Sequence, residues 1–197
     1  MNNREPSTTQ GVFVHPAALC ESVDIGNGTR VWAFAHILPG AKIGADCNIC
    51  DAAFIEGGVA IGNGVTIKNQ VQIFAGVTIE DDVFLGPGVI FTNDVNPRAH
   101  IKRGGTDLRP TTVQQGVTLG AGVIVVCGIT LGANAFAGAG AVITRDVAPH
   151  AFVVGNPARQ IGWACRCGYR LSDELSCREC GRTYHLEQST SRLQPAD

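Results

Sequence analysis

The chain has 197 residues, 45% hydrophobic and only 16% charged, with a formal net charge of −2. That balance excludes a disordered polyelectrolyte and argues against a polyanion-binding footprint, so no nucleic-acid partner is expected. Aromatic residues are 6%, so the core must be built from small and aliphatic side chains. No apolar run approaches the roughly 20 residues of a membrane span. The opening Met1-Asn2-Asn3-Arg4-Glu5-Pro6 lacks the apolar stretch of a signal peptide. A cytoplasmic setting is expected, and the eight cysteines read as thiols or metal ligands before disulfides.

Residues 1–11 read as a flexible terminus. From Ile25 the sequence counts in sixes: Ile25, Val31, Ile37, Ile43, Ile49, Ile55, Ile61, Ile67, Ile73, Ile79, Leu85 and Phe91 are all apolar. A second register, four residues after each, is small or β-branched: Thr29, Ala35, Ala41, Cys47, Ala53, Val59, Val65, Val71, Val77, Val83 and Val89. Gly26, Gly44 and Gly62 add a period of 18. A period of six is not helical. It suits short strands joined by tight corners, three to a triangular coil, with coils that bury their apolar residues only by stacking.

The pattern breaks after Phe91-Thr92-Asn93-Asp94 and restarts at Val113, so residues 95–112 are predicted to bulge out as a loop. Arg98, Lys102, Arg103 and Arg109 make it basic, and loops of this length are commonly functional. An anion-binding flap for phosphates or a carboxylate is expected, with Arg98, His100, Lys102 and Arg103 as its substrate-binding residues. Both registers then run on to Ile143 and Val147, the repeat ends near Pro149, and the turn Gly155-Asn156-Pro157 follows as a natural terminator.

Residues 162–197 differ in kind. Cys165-Arg166-Cys167-Gly168 and Cys177-Arg178-Glu179-Cys180-Gly181 resemble the two knuckles of a zinc ribbon, although the first has one spacer residue instead of two. Four thiolates at Cys165, Cys167, Cys177 and Cys180 would hold a structural Zn²⁺, with His185 a possible substitute for one of them. A module this small needs such a staple. Cys47 and Cys50 have the same CxxC spacing, but their places in the repeat explain them. Cys20 and Cys127 read as packing residues as well.

The hexapeptide registers over residues 12–161 resemble the hexapeptide-repeat acyltransferases. The resemblance implies an all-β fold, a left-handed parallel β-helix. That hand runs against the general crossover preference and comes from the family alone. Thr29-Arg30-Val31-Trp32-Ala33-Phe34-Ala35-His36-Ile37, Glu80-Asp81-Asp82-Val83-Phe84-Leu85-Gly86-Pro87 and Phe91-Thr92-Asn93 resemble the branch that acetylates 3-amino sugars carried on UDP or dTDP. The tail Gly155–Trp163 points within it to UDP-2-acetamido-3-amino-2,3-dideoxyglucuronate N-acetyltransferases of surface polysaccharide (O-antigen) biosynthesis. A dTDP-3-amino-3,6-dideoxyhexose is the alternative acceptor.

The resemblance further implies acetyl-CoA as cosubstrate, a homotrimer with sites between subunits, and Asn93 as the active-site residue, followed by Asp94. Gly138, Ala139, Asn156 and Arg159 are the implied coenzyme A contacts. Some relatives carry an acid where Ala75 stands, which leaves the general base open, with His36 and His100 as candidates. A non-catalytic scaffold is the reading from another class. A γ-type carbonic anhydrase would need three histidines around zinc, and only His36 falls within the coils.

Overall fold

The structure is a computed structural model and describes residues 7–9, 11–101, 107–187 and 192–196. Among these there is no α-helix. Strands of two or three residues alternate with tight corners and stack into three parallel sheets of ten, seven and six strands, the first with an antiparallel strand at each end. Each strand pairs with the one a coil away. Ile25 lies beside Ile43, Ile43 beside Ile61, and Ile61 beside Ile79. The fold is therefore a parallel β-solenoid with three faces.

The sixth-residue register points inward. From Val31 to Phe91, and again from Val113 to Ile143, every member is buried in one continuous core. The small register fills the same interior, from Thr29 to Val147. A third register follows from the corners themselves. The third residue after most inward positions bends the chain through the left-handed region, and Phe34, Ala52 and Gln70 do so without being glycine, as does His150, third after Val147. Each costs on the order of 1–2 kcal/mol, which stacking against the adjoining coils must offset. The 18-residue glycine period has a separate cause. A Cβ on Gly44 would lie 2.5 Å from the carbonyl of Gly62 one coil on.

Side chains satisfy the corner amides that the strands leave over. Asn63 Oδ1 accepts from Ala45 N–H at 2.8 Å, and Asp81 Oδ1 accepts from Asn63 N–H at 2.6 Å. Thr29 Oγ1 accepts from Cys47 N–H at 3.0 Å. Among the described residues no buried side-chain nitrogen or oxygen lacks a partner.

Three boundaries differ from expectation. Ser7–Thr9, inside the segment expected to be flexible, pairs antiparallel with Val12–Val14 and covers the edge of the first face. The inserted loop ends at Pro110, not at residue 112, because Thr111–Val113 is already a strand paired with Val77–Ile79. Counting on inward residues finds Val113, the third residue of that strand, and misses its first. At the far end Ala151–Val154 turns through Gly155–Ala158 and Arg159–Trp163 returns antiparallel, so the last sheet runs two residues past the expected boundary at 161. Beyond it a second small core gathers Cys165, Leu171, Cys177, Tyr184 and Leu193, with Trp163 packed against both cores.

Overpacking sets the first expected outcome. Gly44→Ala should lower the stability of the solenoid by roughly 1–3 kcal/mol. Lys42→Ala, on the outside of the same coil, should change it by no more than about 0.5 kcal/mol. Denaturant unfolding of the two variants checks the difference, and equal losses would remove the close-approach explanation.

Candidate functional site

Asn93 stands two residues after the inward Phe91, where other coils have a four-residue corner and this one has an insertion. The neck of that insertion is closed by backbone: Arg109 N–H donates to Asn93 C=O at 3.1 Å, and Thr111 N–H donates to Gly76 C=O at 3.0 Å. Thr92 Oγ1 accepts from Cys127 N–H at 3.0 Å and ties the same corner to the next coil. Arg109 packs its Cβ over Gly128, 3.2 Å from where a Cβ would be. Asn93 and Asp94 are half-buried at this neck, and Asp94 Oδ1 accepts from Asn96 N–H at 2.8 Å. Arg98 and His100 are exposed on the insertion, where Ile101 N–H donates to Arg98 C=O. Lys102 and Arg103 lie outside the described residues.

His36 belongs to the same face but to a lower coil. Its Nε2–H donates to Glu21 Oε2 at 3.1 Å, and its ring meets the edge of Phe54 at 5.7 Å. The strand ladder runs His36, Phe54, Gln72, Ile90, so His36 and the Asn93 corner are three strand spacings apart, about 14 Å. Within one chain they do not meet. Reading the sequence for histidines missed a nearer acid. Glu56 Oε2 accepts from Ala75 N–H at 2.7 Å, at the corner directly below Asn93. A carboxylate thus occupies the level where Ala75 itself supplies none. The count of six does not mark it, since the contact depends on the reach of one side chain past its own coil.

The proposed coenzyme contacts fall on a different corner. Gly138 and Ala139 continue the column of Gly86-Pro87 and Gly120-Ala121, where the chain approaches its neighbour closely. Gly138 N–H donates to Val153 C=O at 2.9 Å, and a Cβ there would meet Val154. Asn156 and Arg159 are exposed on the closing turn, which contains a cis Asn156–Pro157 bond, and Arg159 Nη1 donates to Ala158 C=O.

The four C-terminal thiols converge. Their Sγ atoms all lie within 4.8 Å of one another, with Cys165 to Cys180 and Cys167 to Cys177 each at 3.5 Å. The Cys180 thiol is drawn down to about 6, chiefly by the Arg182 backbone N–H. His185 takes no place among them. Cys167, the neighbour of Cys180, is pushed up to about 12 by burial and by the other thiols, and burial pushes the Cys20, Cys47 and Cys50 thiols up as well. His150 joins the two parts of the chain. Its Nδ1–H donates to Ala164 C=O at 2.9 Å, its Nε2 is 3.4 Å from Asn134 Nδ2, and Tyr184 lies against its ring at 5.4 Å. A cleft of about 630 Å³ opens here, with Asn134 and Phe136 on the solenoid side and Arg166, Arg182 and Tyr184 on the other.

Residues 22–57 match the family described as "Bacterial transferase hexapeptide (six repeats)", and residues 110–145 match "Hexapeptide repeat of succinyl-transferase". Over 180 residues, 90% of this chain and 93% of the relative, the sequence is 48% identical to the dTDP-3-amino-3,6-dideoxy-alpha-D-galactopyranose 3-N-acetyltransferase of Aneurinibacillus thermoaerophilus. The chain belongs to the hexapeptide-repeat acetyltransferase family. Two solved structures support the fold alone. The acetyltransferase domain of PglB from Neisseria gonorrhoeae matches with a TM-score of 0.53 at 23% identity, over 77% of this chain and 58% of that one. WeeI from Acinetobacter baumannii matches with a TM-score of 0.50 at 24% identity, over 76% of this chain and 57% of that one.

His150 supplies a pH-dependent outcome. Burial holds its pKa below the ordinary value, so the unfolded chain takes up this proton before the folded one does. The stability it contributes is present above about pH 6.5 and is lost as pH falls through the folded value. The melting temperature should therefore drop more between pH 7.5 and 5.5 in the wild type than in His150→Asn, a residue that tolerates the same backbone bend. Equal drops would show that His150 is not held neutral.

Proposed function

We propose that this protein is an acetyl-CoA-dependent N-acetyltransferase acting on the 3-amino group of a nucleotide-linked amino sugar, with a dTDP-3-amino-3,6-dideoxyhexose as acceptor. The observation that carries the reading is the 48% identity to the Aneurinibacillus enzyme over nearly the whole of both chains. It shifts the acceptor away from the UDP-2-acetamido-3-amino-2,3-dideoxyglucuronate that the tail motif favours. A match over 180 residues outweighs one over a closing turn.

In this reading the sugar amine attacks the thioester carbonyl carbon. The C–N bond forms, the C–S bond breaks, and the amine proton ends on the departing thiolate. A sugar amine has a reference pKa near that of an α-amino group, about 7.7–8.0, so a useful fraction is neutral without a strong base. Asn93 orients the amine through its amide oxygen, with Asp94 beside it at the neck of the insertion. Positioning of the two reactants supplies most of the rate. Glu56, whose carboxylate reaches up to the Ala75 corner one level below Asn93, lies nearer to this corner than His36.

Arg98, His100, Lys102 and Arg103 bind the acceptor's phosphates. The small residues Gly138 and Ala139 let the pantetheine arm lie close to the backbone, and Asn156 and Arg159 hold the nucleotide end. The exposed Leu19, Ile90 and Ile124 share one face with Phe54, which supports packing of that face in a homotrimer. The reading includes a structural Zn²⁺ in the C-terminal module, supported by the convergence of its four thiols.

Release of coenzyme A thiol across a panel of UDP- and dTDP-linked 3-amino sugars tests the acceptor. Turnover should be fastest with a dTDP-3-amino-3,6-dideoxyhexose, and turnover restricted to UDP sugars would overturn the assignment. Asn93→Ala should lower kcat about 5- to 150-fold with little change in the acetyl-CoA KM, the loss of one hydrogen bond to a polar group. Unchanged kcat would leave Asn93 as a corner residue only.

A further inference from the structure

We propose that Cys165, Cys167, Cys177 and Cys180 bind one zinc ion whose role is to latch the C-terminal module onto the last coil of the solenoid. The proposal rests on the zinc part of the functional reading and is independent of the acetyl-transfer part. Two observations identify the ligand set. The first is geometric. Zn–S bonds of about 2.3 Å in a regular tetrahedron give sulfur–sulfur edges of about 3.8 Å. The four Sγ atoms span 3.5 Å to 4.8 Å and come from two separate turns. Each turn is closed by its own backbone, Gly168 N–H to Cys165 C=O and Gly181 N–H to Cys177 C=O. Burial does not explain the convergence, because Cys167 and Cys180 are exposed.

The second observation concerns donors aimed at sulfur. The Tyr184 hydroxyl accepts from Arg166 N–H at 3.0 Å, which leaves its own proton to donate to Cys165 Sγ at 3.2 Å. Arg182 Nη1 donates to Cys180 Sγ at 3.3 Å. Such donors suit thiolates bound to a cation, and they orient the ligands as outer-shell partners of metals do. Four protein thiolates leave no open position, so the metal performs no chemistry on substrate.

The latch follows from what the first knuckle touches. Ala164, next to Cys165, donates its N–H to His150 C=O and accepts from His150 Nδ1. Tyr184, bonded to Cys165 Sγ, lies on the His150 ring. Trp163 packs against the solenoid core and the module core together. Among the described residues the second knuckle has no such anchor, and two of the five buried residues of the module core are ligand cysteines themselves. Without the metal, Cys177–Cys180 and the strand Tyr184–Glu187 have too little buried surface to stay seated. Zinc thereby holds one wall of the cleft formed by Arg166, Arg182 and Tyr184.

The test uses the full chain, with Trp32→Phe so that Trp163 is the sole fluorescent reporter. Protein purified without chelator should contain about one zinc per chain. Absence of zinc before and after reconstitution, iron in its place, or thiol titration revealing two disulfides would overturn the metal. Stripping zinc with a chelator should shift Trp163 emission to the red and speed tryptic cleavage at Arg166–Arg182 by about tenfold or more, with the solenoid's β signal kept. Cys180→Ser, on the knuckle away from the solenoid, should do the same without chelator. Zinc-loaded and zinc-free proteins with the same emission and the same cleavage rate would overturn the latch while leaving the metal site standing.

Discussion

Everything in this molecule depends on stacking one coil on the next at a spacing of 18 residues. Each inward side chain finds its partners on the coils above and below, and each corner presents its leftover amides to a side chain or carbonyl one coil away. No coil could bury its own apolar residues alone. The spacing explains why glycine recurs at Gly26, Gly44 and Gly62, where backbone meets backbone and leaves no room for a Cβ. It also explains why an insertion must leave and rejoin at a single corner. Val77 pairs with Thr111, 16 residues later than the coil requires, and the strand register resumes unchanged through Val113.

That constraint decides where chemistry can reside. Strands of two residues expose one outward side chain each, and the stacking of coils ties that side chain into a ladder. Corners have more freedom, and the corner that carries Asn93 has the most, since seventeen residues, 94–110, stand between it and the strand Thr111–Val113. Thr92, Arg109 and Thr111 fasten its base. The candidate residues are thus mounted on the most regular part of the protein while reaching away from it, which is how a repetitive scaffold acquires a specific site.

Much of this was legible in the sequence, because a strict period converts directly into burial. Ile37, Ile55 and Ile73 had to face inward once the count of six was seen, and the thiol cluster was legible from its paired spacing. The bend at the third corner residue was harder to read, since Phe34, Gln70 and His150 are not residues that advertise a left-handed turn. The Glu56–Ala75 contact depends on the reach of one side chain past its own coil, which no period encodes. The contacts of His150 with Ala164 and Tyr184 join a repeat to a segment that has none, so only the folded chain shows them.

The central claim is that a self-sufficient stack carries an insertion on which binding of the acceptor, and so acetyl transfer, is proposed to depend. Replacing residues 94–110 by one glycine would put Phe91, Thr92, Asn93, glycine and Thr111 in the register of an ordinary corner and restore the period of six. Circular dichroism and thermal melting should then show a folded solenoid at least as stable as the wild type, while acetyl transfer to the nucleotide sugar is lost. Unfolding of the shortened chain, or acetyl transfer at the wild-type rate, would contradict the account.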